Sequence, residues 1–144
     1  MRRTVVSLCL LTLASVVFVS PALADPGRGA NILCYFWAHN ASPAIGVAYT
    51  PSATYSYNTV GRAAANTVTK TSTGVYSVAC NGVGGGAPWG FGGHVQVSAY
   101  GPRNPNHCHV DFWGTGAANL TAEVSCYAPN GAPADSRFDF LFIW

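Results

Sequence analysis

His107-Cys-His-Val-Asp-Phe-Trp113 and Leu120-Thr-Ala-Glu-Val-Ser-Cys-Tyr127 read as the two arms of one β-hairpin. The segment between them, Gly114-Thr-Gly-Ala-Ala-Asn119, supplies turn residues centred near Ala117. Folding about that centre sets Cys108 opposite Cys126, Val110 opposite Val124 and Phe112 opposite Ala122. Side chains alternate along a strand, so all six share one face. This register buries an apolar face and brings two cysteines together. Directly opposed strand residues have Cα atoms about 4.5–5.5 Å apart, within the range a disulfide spans.

The remaining cysteines follow from the compartment. Met1-Arg-Arg3 is basic, Val5–Val19 is uncharged, and Ser20-Pro-Ala-Leu-Ala24 ends small-x-small. Those are the three parts of a secretory signal, so residues 1–24 are expected to be cleaved. The uncharged core is short for a membrane span, which needs about 20 apolar residues. Cys9 leaves with this leader, and four cysteines remain: Cys34, Cys80, Cys108 and Cys126. An even number in a small exported domain points to disulfides, and no Cys-x-x-Cys pair offers a metal site. With Cys108 bonded to Cys126, elimination pairs Cys34 with Cys80. Each bridge is expected to contribute roughly 3–4 kcal/mol.

Cleavage also removes Arg2 and Arg3, taking the formal charge from +2 to zero. A neutral, charge-poor surface argues against nucleic acid and against anionic membranes as partners, since both require clustered Lys and Arg.

Outward from the hairpin the chain continues in the same manner. Residues 25–30 read as a disordered lead-in, and residues 31–144 as a single domain. Gly, Pro, Ser, Thr and Asn recur between short β-branched and aromatic runs, with no helical periodicity. Strands are expected at Asn31–Ala38, Ile45–Tyr49, Ala53–Tyr57, Asn66–Thr71, Val75–Cys80, Gly93–Tyr100 and Arg137–Trp144, beside the hairpin arms. Asn31–Ala38 and Arg137–Trp144 are apolar on both faces and read as strands covered on both sides. Gly74 supplies the left-handed position between Asn66–Thr71 and Val75–Cys80. The fold class is therefore an all-β, mostly antiparallel sandwich of about seven to nine strands with two disulfides.

Several runs carry a resemblance: Tyr55-Ser-Tyr-Asn58, Asn66-Thr-Val-Thr-Lys-Thr-Ser-Thr-Gly-Val-Tyr-Ser-Val78, His94-Val-Gln-Val-Ser-Ala-Tyr-Gly101, the Cys108 to Cys126 hairpin, and Ala134-Asp-Ser-Arg-Phe138. Together they resemble a group of secreted bacterial β-rich proteins of unknown function. The likeness covers nearly the whole mature chain. It implies one exported β domain and transfers no activity. Where that group usually ends a strand with a Phe-Pro-Gly-type sequence, this chain has Ala79-Cys-Asn-Gly82.

Two constellations bear on chemistry. On the outer hairpin face His107, His109 and Asp111 alternate, and the same register sets Asp111 opposite Glu123. Like charges opposed in a sheet repel. A cation held by His109, Asp111 and Glu123 would relieve them, as zinc accepts such donors. The plainer reading is a solvated face on which the two acids splay apart. The same trio is the one set from which a small secreted hydrolase could be built. No Gly-x-Ser-x-Gly or free thiol supports nucleophilic catalysis, so no catalytic residue is assigned and no cofactor is expected.

The second constellation is aromatic. Trp89, Phe91 and Trp113 lie in or beside loops, and Tyr55 and Tyr57 share one face of a short strand. Flat rings on a rigid β scaffold suit stacking on sugar rings. The alternative is core and edge packing, which aromatic side chains commonly serve. Phe36 and Phe112 are expected in the core. The glycine-rich stretch 82–93 is not a phosphate loop, since no Lys-Ser or Lys-Thr and no helix follow it. The favoured expectation is a secreted, non-enzymatic protein that binds a glycan or another protein. A small hydrolase or a secreted enzyme inhibitor is the alternative.

Overall fold

The computed structural model describes residues 33–59, 66–84, 93–116 and 118–143. The leader, the lead-in, Trp89, Phe91 and Trp144 lie outside them. Among the described residues nine strands occur in the order β1 (Leu33–Ala38), β2 (Ala48–Tyr49), β3 (Ser56–Asn58), β4 (Asn66–Ser72), β5 (Val75–Asn81), β6 (His94–Ala99), β7 (His107–Thr115), β8 (Asn119–Tyr127) and β9 (Phe138–Ile143). They form two antiparallel sheets, β3-β1-β9-β6 and β2-β4-β5-β8-β7. The all-β expectation holds, and so does the antiparallel pairing.

The core lies between the sheets. Phe36, Phe138, Phe140 and Phe142 fill it from one side, with Val68, Tyr76, Val78, Leu120, Ala122 and Val124 from the other. Both disulfides are present. Cys108–Cys126 ties β7 to β8, and Cys34–Cys80 joins β1 of one sheet to β5 of the other. Beside the second bridge, buried polar side chains also cross the gap between sheets. Asn58 Nδ2 donates to Asn66 Oδ1 at 3.0 Å and to the Asn81 carbonyl at 3.1 Å. Asn66 Nδ2 in turn donates to Ser56 Oγ at 2.9 Å. Buried amides need such partners, and these find them across the sandwich. Gly74 closes the β4–β5 turn at φ 74°, the left-handed conformation expected of it.

Four sequence expectations need correction. The β7–β8 register runs as expected through Cys108↔Cys126 and Val110↔Val124, then slips by one residue. Asp111 is the extra residue of a β-bulge, so Phe112 pairs with Glu123 and Trp113 with Ala122. The bulge reverses the faces beyond it: Phe112 is exposed, and Trp113 turns in to meet Phe142 at 5.7 Å. Asp111 and Glu123 are consequently not opposed. Second, Ala53–Tyr57 is not one strand. Ala53–Tyr55 is a single 3₁₀ turn, and only Ser56 and Tyr57 enter β3. Third, Ile45–Tyr49 shortens to the two-residue β2. Fourth, β1 and β9 are interior to their sheet but are covered on one face only. Cys34, Phe36 and Ala38 are buried, while Tyr35 is exposed, and Phe140 and Phe142 are buried while Ile143 is exposed.

Candidate functional site

The one-sided burial of β1 and β9 leaves an apolar outer face on the four-stranded sheet. Its composition follows from register. Tyr35 of β1 pairs with Tyr57 of β3 on one side and Leu141 of β9 on the other. One step along, Trp37 pairs with Asp139, which pairs with Ser98 of β6. Residues paired across a sheet point to the same face, so Tyr57, Tyr35 and Leu141 form one row and Trp37, Asp139 and Ser98 the next.

Ring contacts consolidate the face. Tyr35 and Tyr57 stack at 6.1 Å with planes 28° apart. The Trp37 indole meets Tyr55 at 5.5 Å and Tyr100 at 5.4 Å, with interplanar angles of 79° and 75°. Both tyrosines thus stand nearly perpendicular to the indole, one from the 3₁₀ turn and one from the end of β6. These rings enclose a half-open groove of about 560 Å³ that Tyr35, Trp37, Tyr55, Tyr100, Asp139 and Leu141 help to line. The four tyrosines of this face, Tyr35, Tyr55, Tyr57 and Tyr100, remain between 41% and 55% exposed.

Among the described residues, two polar groups on the side chains that line the groove are left without partners. The Trp37 indole N–H is buried with no hydrogen-bond acceptor. An indole N–H can only donate, so it lacks what a carbonyl, hydroxyl or carboxylate would offer. Asp139 makes no ion pair or hydrogen bond with a described residue, and partial burial raises its carboxyl pKa above the ordinary value.

The His107–Asp111 stripe on β7 is arranged differently. Ser125 Oγ donates to Asp111 Oδ2, and His109 Nε2 lies 2.9 Å from Asp111 Oδ1. The carboxylate therefore sits between hydroxyl and imidazole. A serine nucleophile needs the histidine in that middle position to take its proton, so these three side chains do not form a nucleophilic triad. Tyr127 lies against both imidazoles, at 5.4 Å from His109 and 5.6 Å from His107. Among the described residues no three His, Cys, Asp or Glu side chains gather so as to hold a metal ion. The expected His109, Asp111 and Glu123 donor set is accordingly not assembled, because the bulge at Asp111 puts Phe112, not Asp111, across from Glu123.

Of the expected binding aromatics, Tyr55 and Tyr57 belong to the groove face, although on separate elements. Trp113 packs half-buried against the core. The sequence alone does not single out Tyr35, Trp37, Tyr100 or Asp139. The signal for the first two was present: in Leu33–Ala38 the small or core-type residues Cys34, Phe36 and Ala38 share one parity, which sends Tyr35 and Trp37 outward together. No helix among the described residues is long and apolar enough to cross a membrane. No known protein family, curated protein or solved structure matches the chain.

Proposed function

We propose that this is an exported, non-enzymatic binding protein whose outer sheet face engages a saccharide. The observation that carries the reading is the continuous aromatic surface of Tyr57, Tyr35, Trp37, Tyr55 and Tyr100, set on paired strands and on a turn packed against them. A pyranose ring presents C–H groups on its faces and hydroxyls around its rim. Exposed tyrosines offer a flat apolar body with a polar tip, which matches both. Such a platform on a sheet costs little ordering entropy, because the strands already hold the rings. The Asp139 carboxylate, without a partner among the described residues, supplies an acceptor for rim hydroxyls. The two disulfides suit an oxidising compartment, in keeping with export.

A polysaccharide pull-down and a glycan array with the purified domain test the proposal. Tyr57→Ala serves as the variant, since Tyr57 is exposed on the edge strand β3 and its removal should leave the fold intact. Loss of one stacking ring worth about 0.5–1.5 kcal/mol should weaken binding roughly two- to tenfold. Retention of a protein partner with no retention of any glycan would move the reading to protein recognition. Unchanged glycan affinity in Tyr57→Ala would remove this face from the binding site.

A further inference from the structure

We propose that the saccharide taken by this groove carries a protonated amine, seated between the Asp139 carboxylate and the ring of Trp37. The inference rests on the saccharide reading above and adds a ligand class to it. Its basis is the contrast between Asp139 and the other aspartates described. Asp135 is met by Lys70, Ser42 and the Gly74 N–H, and Asp111 by Ser125 and His109. Asp139 has none of these. From β1 it faces Trp37, and from β6 Ser98. Tyr35, Tyr55 and Tyr100 complete the groove around it. Arg137, two residues before it, forms no ion pair with it. His39 contacts Trp37 but accepts from the Ser52 N–H at 3.3 Å. His94 pairs with Ile143 at the far end of β9.

A carboxylate without a counter-charge therefore lies among aromatic faces that are themselves electronegative. Both features favour a cation, and an ammonium group can satisfy the charge and the π faces together. A neutral hydroxyl satisfies only the hydrogen bond. Long-range attraction does not produce the preference, because the chain carries a formal charge of +2, or zero without Arg2 and Arg3.

The test measures affinity calorimetrically for β-1,4-linked oligomers of glucosamine, N-acetylglucosamine and glucose at matched length, in weakly acidic buffer where the free amine is protonated. The wild type should bind the glucosamine oligomer at least about tenfold more tightly than the other two. D139N should abolish that preference, so that the three oligomers bind alike, with an unchanged melting temperature. Equal wild-type affinity for all three oligomers would overturn the amine assignment and leave the saccharide platform standing. A preference that survives in D139N would overturn the role of Asp139. Absence of binding to every oligomer, together with an empty glycan array, would overturn both readings.

Discussion

Cys34 of β1 and Cys80 of β5 are bonded across the two sheets, 46 residues apart in sequence, whereas Cys108 and Cys126 are bonded within one hairpin, 18 apart. The bridges therefore constrain the unfolded chain unequally. Loop-closure entropy gives about 4 kcal/mol for the longer loop and about 3 kcal/mol for the shorter. The Cys34→Ala/Cys80→Ala protein should be the less stable of the two double variants, by about 1 kcal/mol in urea denaturation. The reverse order would show that native packing, not chain entropy, governs both bridges.

Lys70 and Asp135 form a second long-range tie. The Lys70 side chain is only 8% exposed, and Asp135 is 24% exposed. Burial alone would raise the Asp135 pKa, but hydrogen bonds from Lys70, Gly74 and Ser42 and the charge of Lys70 outweigh it. The net pKa lies below the ordinary 3.8. A carboxyl depressed on folding contributes stability that is present above its unfolded pKa and lost as pH falls through the folded one. Asp135→Ala should cost about 3 kcal/mol near neutrality, the low end for a broken buried pair because Asp135 keeps some water. It should also flatten the acid limb of the stability curve. Replacing Lys70 by Met in the same chain should recover part of the loss. A full acid limb in Asp135→Ala would place the responsible carboxyl elsewhere.

The bulge at Asp111 makes a sharper prediction. Val110 pairs with Val124 and Phe112 with Glu123, so Asp111 is surplus to the ladder. Deleting it should regularise β7 without altering any later pair. The deletion protein should fold with Trp113 still against Phe142, seen as an unchanged nuclear Overhauser contact. It should lose roughly 1–2 kcal/mol, since Ser125, which is buried, would lack its acceptor. Saccharide binding should be unaffected, the bulge lying on the opposite sheet from the groove. If the deletion instead flips Phe112 inward, the register beyond Val110 is set by side-chain burial and not by the ladder.

That bulge marks where the sequence ceased to be legible. Cys108, Val110, Val124 and Cys126 keep strict alternation, and the pairing between them could be read directly. A bulge inserts one residue and shifts the period by one, which no alternating pattern reveals, so alternation alone puts Phe112 inside and Asp111 against Glu123. The groove was hidden for a different reason. Tyr55 and Tyr57 stood out as exposed aromatics, but Trp37 and Asp139 meet only because β1 and β9, from opposite ends of the described chain, lie side by side. Such pairing depends on topology. Runs apolar on both faces, as in β1 and β9, further concealed which side was the core. The buried Asn58–Asn66 contact gave no sequence signal, since isolated asparagines ordinarily mark turns.

The two faces of β9 now differ enough to be tested against each other. Phe138, Phe140 and Phe142 are buried, and Phe36 stacks on Phe140 at 5.0 Å. Ile143, one residue beyond Phe142, is 47% exposed. Removing a large buried aromatic leaves a cavity that rigid strands on both sides cannot close. Phe140→Ala should therefore cost about 3–5 kcal/mol, a large share of the stability of a domain this size. Ile143→Thr keeps β-branching and exchanges an ethyl group that is already half in water for a hydroxyl. Its effect should stay within about 0.5 kcal/mol. Equilibrium urea melts of the two variants, measured side by side, decide the matter. Comparable losses would mean that the outer face of β9 is covered in the folded protein, and a covered face could not also be the aromatic groove that receives a saccharide.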